Sequence, residues 1–352
     1  MPPIKSNNYS IEIGMDAFDH LNAFLKKNPY SAYFILCDEN TLQHCLPLLV
    51  TSCPKLIEAH IIEIESGEAS KSINVCIHLW QTLMEHELDK NALIINLGGG
   101  VVSDLGGFCA SVYKRGISFI NVPTSFLAMA DASVGGKTGV DFNNVKNALG
   151  TFAHPKAVFV NPIFLNTLPK RHYRNGLAEI YKIALVSNDS LWKTLKSNEK
   201  KNAQYLIRRS VTLKNKIVLK DPFDKGLRKI LNFGHTIGHA VEASYLNTAN
   251  ELLHGEAILI GMIIESHLAL QKKLLSETNF LEIISQLELE LDFLRPTNLK
   301  LDLILPKIIN DKKNSNKKLL FSLIDKIGSC QINIQINQKQ IEKSLEFYNS
   351  IK

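Results

Sequence analysis

The 352-residue chain has little of what marks the specialised classes of protein. Long hydrophobic runs are missing: the longest, Ala257 to Ile264, falls far short of the ~20 residues that a bilayer crossing needs, so no membrane partner is expected. The opening MPPIKSNNYS carries no apolar signal core, which predicts a cytoplasmic protein. The six cysteines, Cys37, Cys45, Cys53, Cys76, Cys109 and Cys330, include no CxxC pair and sit mostly in apolar segments. A disulfide-stapled scaffold is therefore excluded, and reduced, buried thiols are predicted. No internal repeat is found, and the Lys/Asn-rich DKKNSNKK at 311–318 reads as a solvated loop. Charge of one sign is also lacking: 40 Lys+Arg against 34 Asp+Glu leave +6, spread along the chain. A basic stripe interleaved with stacking aromatics is absent, so no nucleic-acid partner is expected. A small anionic substrate held by a few converging cations accounts for the same excess.

What is present is the balance of a globular chain, 45% hydrophobic and 21% charged, at a length that suggests two domains of roughly 150 residues each. The first half alternates β-rich runs with helical stretches. SAYFILCD (31–38), LIEAHIIEIE (56–65), NALIINLGGG (91–100), GISFINVP (116–123) and KAVFVNP (156–162) read as strands of a parallel sheet. Between them, residues 70–88 place Ile73, Cys76, Ile77, Trp80, Leu83 and Met84 at helical spacing, as a crossover helix does. Beyond Pro169 helical periodicity dominates, over 176–186, 204–218, 227–245 and 255–273, so the second half is predicted to be mostly α.

Three features carry chemistry. The first is LIINLGGGVVSDLGGF, where three glycines follow an apolar strand and open a helix. Backbone can there approach a phosphate closely while helix N–H groups point at it, which suits a nucleotide pyrophosphate; the alternative is a tight strand-to-helix turn. Asp38, ending an early strand, could bond ribose hydroxyls, and SGEASK at 66–71 adds polar groups. The second is LRKILNFGHTIGHAVEA, which sets His235 and His239 four residues apart on one helix face, followed by His254 in LLHGEA. With Glu179 of GLAEIYK these make a candidate divalent-metal site, although paired helix histidines are more often structural. Gly234, Gly238 and Gly255 flank the imidazoles; helix glycines cost about 1 kcal/mol each, which predicts that something approaches closely there. The third is a set of cations among small residues, Arg115, Lys137, Lys146, Lys182, Lys214, Arg228 and a lysine of DKK, which jointly suit phosphate and carboxylate recognition.

Taken together, GGGVVSDLGGFCASVYKRGISFINVPTSFLAMADASVGGKTGV, KNALGTF, GLAEIYK, GLRKILNFGHTIGHAVEA and HGEA resemble the 3-dehydroquinate synthase family, over almost the whole chain and in the family's order. The resemblance implies a Rossmann-like α/β nucleotide-binding domain with a largely parallel sheet at 1–170, then an all-α metal- and substrate-binding domain at 171–352, in a homodimer. It implies a carbon–oxygen lyase that uses NAD and Zn2+ or Co2+ on a phosphorylated sugar acid. Zinc ligands fall on Glu179, His235 and His254, which leaves His239 as a base, with Lys137, Lys182 and Asp224 as further catalytic groups. NAD contacts fall on Asp38, Asn40, Glu68, Lys71, Gly99, Gly100, Val101, Asp104, Thr124, Ser125 and Asp131. Lys137, Lys146, Phe164 and Thr167 also line the cofactor. Substrate contacts fall on Arg115, Asn147, Lys182, Lys214, Arg228, Asn232 and Lys312, chosen over Lys313. Two departures stand out: Asp224 where the family commonly has glutamate, and Ser125 where it has a second threonine. Another sugar-phosphate cyclase and a metal-dependent polyol dehydrogenase are the rival enzymes, and a non-catalytic binding protein is the rival outside enzymology.

Overall fold

A computed structural model describes residues 2–351 except 144, 198–201, 247, 292, 294 and 311–317. The chain divides into two compact units, Met1–Tyr173 with Asn202–Asn215, and Arg174–Lys201 with Lys216–Lys352.

The first unit is built on a seven-stranded sheet. Its strands are β1 (Ile4–Ser6), β2 (Tyr9–Ile13), β3 (Tyr33–Asp38), β4 (His60–Ile64), β5 (Leu93–Gly98) and β6 (Ser118–Pro123). A separate antiparallel hairpin, β7 (Lys137–Phe142) and β8 (Val145–Phe152), precedes the last sheet strand, β9 (Ala157–Val160). The sheet order is β1-β2-β9-β6-β5-β3-β4, parallel except for the β1–β2 pair. All six residues of β5 are buried, as expected of a central parallel strand covered on both faces. Helices α1 (Ala17–Lys27), α2 (Glu39–His44), α3 (Leu46–Ser52), α4 (Ile73–Glu85) and α5 (Gly100–Val112) supply the crossovers. The five expected strands and the helix at 70–88 are all present, with trimmed ends.

Chain order in the sheet reverses between β3 and β5: from β3 the chain steps outward to β4, and β5 then returns on the other side. Open α/β sheets bind ligands at the carboxyl ends of strands flanking such a point. Here those ends are Asp38 and Gly98, each two residues beyond the paired Leu36 and Asn96. Buried Asn96 donates to Asn121 Oδ1 (2.9 Å) across β5 and β6, and Gly106 lets α5 lie down on that pair, since a Cβ there would come within 1.9 Å of Asn96 Oδ1.

The second unit is helical. It contains most of α6 (Lys170–Ser187), α7 (Asp189–Lys196), the end of α8 (Ala203–Lys220), α9 (His235–Tyr245), α10 (His254–Gln271), α11 (Glu277–Glu288), α12 (Leu301–Asn310) and α13 (Gln338–Ser350). A hairpin, β10 (Leu319–Lys326) and β11 (Ser329–Ile336), is added to these helices, with Leu319, Phe321, Leu323 and Ile324 buried. Helix α10 holds the longest apolar run and is buried on nearly every side, which makes it the core helix of this unit. No helix among the described residues is long and apolar enough to cross a membrane. The periodicity over 227–245 is not one helix. A 3-10 turn over Leu227–Asn232 stops at Phe233, and α9 restarts after Gly234, whose backbone is left-handed at φ +78. Five of the six cysteines are buried, Cys330 is partly exposed, and all six are free thiols.

Candidate active site

In the first unit, Gly98 ends β5, Gly99 caps α5 and Gly100 begins it. No side chain caps this helix, so its leading N–H groups stay available to an anion. The glycines differ in what they avoid. A Cβ on Gly98 would come within 2.5 Å of Val102, whereas Cβ atoms on Gly99 and Gly100 would meet Ser125 Oγ at 3.4 Å and Ala132 Cβ at 3.5 Å, ordinary contacts. Packing within the protein therefore accounts for Gly98 but not for Gly99 and Gly100. Thr124 donates its N–H to the Gly98 carbonyl (3.0 Å), and Ser125 Oγ accepts from Ala128 N–H (3.2 Å).

Five other expected cofactor residues of this unit, Glu68, Lys71, Asp104, Asp131 and Lys146, form ion pairs. Lys71 Nζ lies 2.6 Å from Asp104 Oδ2, Lys146 Nζ 3.1 Å from Glu68 Oε1, and Lys214 Nζ 2.8 Å from Asp131 Oδ2, with a second bond to the Asp131 carbonyl at 2.9 Å. Burial pushes the Lys71 ammonium down, but Asp104 and Glu68 outweigh burial and hold its pKa above the usual lysine value. Lys214, expected at the substrate, is thus seated on an expected cofactor residue. Asp38 caps α2 by accepting from Thr41 N–H (2.8 Å), and Asn40 is exposed one residue into that helix. Val101 follows Gly100 in the first turn of α5. Phe164 packs its buried ring edge-on against Phe18, and its carbonyl accepts from Thr167 Oγ1 (3.3 Å).

Lys137, Lys146 and Asn147 all lie on the β7–β8 hairpin. Its turn is held by Asp141, absent from the expected site. Asp141 Oδ1 accepts from Asn147 N–H (2.7 Å), while Asp141 N–H donates to the Lys71 carbonyl (2.8 Å). Arg115 is exposed and, with Lys114 and Gly116, forms three successive left-handed residues at φ +67, +47 and +109. Two consecutive non-glycine residues in that region cost energy, and such strain clusters at functional sites.

In the second unit, Glu179 of α6 is 1% exposed, and its two oxygens face different partners. Oε2 pairs with Lys182, one turn on, and Oε1 lies 3.5 Å from both His235 Nε2 and His254 Nε2. Each imidazole has its other nitrogen fixed. His235 Nδ1 lies 3.1 Å from the Phe233 carbonyl, and His254 Nδ1 lies 3.2 Å from Glu242 Oε2. An acceptor at Nδ1 holds each ring in place and turns Nε2 toward Oε1, the kind of outer contact that orients metal-binding histidines. His239 completes the cluster: ligand atoms of His235, His239 and His254 all lie within 4.8 Å of one another. Burial pushes the Glu179 carboxyl up, but Lys182 and then His254 outweigh it and hold it at about 2, so the group is ionised. One buried carboxylate oxygen and converging imidazole nitrogens form a donor set that fits a divalent cation.

The close approach expected at the flanking glycines is made by neighbouring helices. A Cβ on Gly234 would strike Met262, one on Gly238 would strike Ile258, and one on Gly255 would strike Asn175. What approaches is helix α10 against α9, and α6 against the start of α10. Asn175 Oδ1 accepts from Gly255 N–H, tying His254 to the helix that carries Glu179. Arg228 is buried in the 3-10 turn, its Nη1 donating to the Pro222 carbonyl (2.9 Å), and Asn232 ends the same turn. Asp224 stands in the preceding loop with left-handed backbone, φ +57, and Asp221 organises that loop by accepting N–H bonds from Lys225, Gly226 and Arg228. Lys312, like Lys313, lies outside the described residues.

Asp141, Asn175 and Glu242 are additions to the residues expected from the sequence. Glu242 carried a signal, since it stands seven residues after His235 and three after His239, on one helix face.

The family model for the N-terminal part of 3-dehydroquinate synthase matches residues 61–175, and that for the C-terminal part matches residues 176–314. A curated 3-dehydroquinate synthase of Parabacteroides distasonis is 35% identical over 347 residues, 96% of this chain and 97% of that protein. One of Campylobacter concisus is 40% identical over 298 residues, 83% of this chain and 84% of that protein. Among solved structures, 2-epi-5-epi-valiolone synthase from Streptomyces hygroscopicus subsp. jinggangensis, with NAD+ and Zn2+ bound, superposes with a TM-score of 0.84 at 27% identity, covering 100% of this chain and 99% of that one. Family models across both units and full-length relatives above 30% identity agree, and the chain belongs to the 3-dehydroquinate synthase family.

Proposed function

We propose that this chain converts 3-deoxy-D-arabino-heptulosonate 7-phosphate into 3-dehydroquinate and phosphate, as a carbon–oxygen lyase that works as a homodimer in the cytoplasm. The reaction combines a transient oxidation at C5, loss of phosphate, return of the hydride and an intramolecular aldol closure, with no net oxidation. The observation that carries the reading is the convergence of Glu179 Oε1 with the Nε2 atoms of His235 and His254.

When bound, NAD supplies a reversible hydride acceptor, and zinc or cobalt supplies a Lewis acid that acidifies substrate hydroxyls. Glu179, His235 and His254 would hold the cation. In the first unit, the α5 N-terminus with Gly99, Gly100 and Val101 would hold the pyrophosphate, and Asp38 the ribose. Lys71, Asp104, Glu68, Lys146 and Asp131, held as ion pairs, would line the cofactor, as would Asn40, Thr124, Ser125, Phe164 and Thr167. A ring nitrogen of His239 takes the C5 hydroxyl proton. Lys182 keeps Glu179 ionised and stabilises anionic groups, as does Lys137. Arg115, Asn147, Lys214, Arg228, Asn232 and Lys312 bind the phosphate and carboxylate of the substrate. Asp224 takes the place of the family's glutamate as a proton relay.

The test is phosphate release from the heptulosonate substrate with NAD, without NAD, and after chelation, followed together with NADH absorbance. Release that needs both NAD and metal and leaves no NADH supports the lyase. Net NADH formation supports a polyol dehydrogenase, and release from sedoheptulose 7-phosphate or glucose 6-phosphate instead supports another cyclase.

A further inference from the structure

Helix α9 begins with His235 but has no capping side chain of its own, because its N-cap is Gly234. That glycine is required twice over. Its φ of +78 disfavours a side chain, and a Cβ would come within 2.5 Å of Met262 Cγ and 3.2 Å of the Ile258 carbonyl on α10. A helix start without a cap leaves backbone donors unsatisfied unless another group accepts from them.

The missing acceptors come from another helix. Glu265, on α10 and 0% exposed, receives Gly234 N–H on Oε2 (2.6 Å) and Ile237 N–H on Oε1 (3.0 Å). Those donors are the N-cap and the third residue of α9, the two that a capping box satisfies within one helix. The carboxylate also adds negative charge at the positive end of the helix dipole. Gly261, one turn before Glu265, lets α10 come this close: a Cβ there would sit 1.9 Å from the Gly234 carbonyl. Since α10 also starts with His254, a single helix carries one imidazole and fixes the backbone from which the other projects.

We infer that Glu265 is a positioning residue for the metal site, acting as an N-cap supplied by a neighbouring helix that sets His235 at its distance from His254 and Glu179. Outer groups that orient ligands are worth roughly 10–100-fold in metal affinity. Glutamine at 265 keeps the shape but offers one accepting oxygen in place of two, so one of the two N–H groups loses its partner.

The inference rests on the metal reading above, and the experiment separates the two. The full-length chain, freed of metal, is titrated with Co2+ against a competing chelator, with the visible absorption of the bound ion recorded, for the unmodified protein and for E265Q. The expected result is a Co2+ Kd raised about tenfold or more in E265Q with a shifted absorption band, and an unchanged NAD Kd. A folded E265Q with the Kd and band of the unmodified chain overturns the inference, even where its Tm falls, since that is the signature of a merely structural role. Should E265Q not fold, E265D takes its place, with the same expected weakening and the same overturning result. An unmodified chain that takes up no Co2+ overturns the metal reading, and this inference with it.

Discussion

Glu242 Oε2 lies 3.2 Å from Nδ1 of His254, and both groups sit on the helix pair α9 and α10 that frames the imidazole cluster. This contact fixes which imidazole nitrogen faces Glu179. Replacing Glu242 with Gln removes the charge and permits the amide to present N–H to Nδ1, which selects the wrong tautomer. Metal affinity should fall by about 10–100-fold, measured by chelator competition, with NAD binding unaffected. Unchanged affinity would detach Glu242 from the site.

Two glycines of α5, Gly100 and Gly106, separate by mechanism. G100A places a methyl at ordinary contact distance within the protein and should leave Tm nearly unchanged, while NAD affinity drops at least about tenfold, equivalent to ~1.4 kcal/mol. G106A instead drives a methyl into Asn96 and should lower stability by about 1–3 kcal/mol. Thermal unfolding and NAD titration of both variants check the contrast; equal NAD affinity in G100A would argue against a cofactor at this turn.

Arg115 projects from a left-handed stretch at the surface of the first unit. R115A should raise KM for the phosphorylated substrate with a smaller effect on kcat, and R115K should recover only part, since an ammonium cannot make the bidentate contact of a guanidinium. Steady-state kinetics decide it, and an unaltered KM removes Arg115 from the phosphate site.

Acid stability should depend on Asp221. Burial pushes its carboxyl up, but N–H donors from Arg228, Lys225 and Gly226 outweigh burial and hold its pKa below the usual 3.8. A depressed carboxylate stabilises the fold above 3.8 and loses that contribution as the pH falls through its folded value. The Tm difference between the unmodified chain and D221N should therefore be largest near neutrality and shrink below pH 3.8. A difference independent of pH would contradict this.

Much of the first unit was legible because its signals are local. The apolar run before Gly98 is a strand buried on both faces, and the turn after it is opened by its own glycines. The imidazole cluster was legible for the same reason, since four-residue spacing alone puts His235 and His239 on one face. What was not legible depends on partners distant in sequence. The break at Gly234 is set by Met262 of α10, so periodicity over 227–245 reads through it. The glycines beside the histidines pointed correctly to a close approach, but their neighbours are helices and no local pattern says so. Glu265 caps a helix that begins 30 residues earlier, at His235, and nothing near it in the sequence marks it as a cap. The β7–β8 hairpin was hidden by a segment rich in Gly, Asn and Lys, in which the Gly139–Gly150 cross-strand pair brings two backbones together without side chains.

The central claim is that Glu179, His235 and His254 together hold one divalent cation. Elemental analysis of the purified chain and of E179Q, H235A and H254A, each dialysed against the same zinc-containing buffer, tests it most directly. About one equivalent of metal is expected in the unmodified chain and loss of that equivalent in all three variants, with NAD binding retained. Full metal content in folded H254A or E179Q would contradict it.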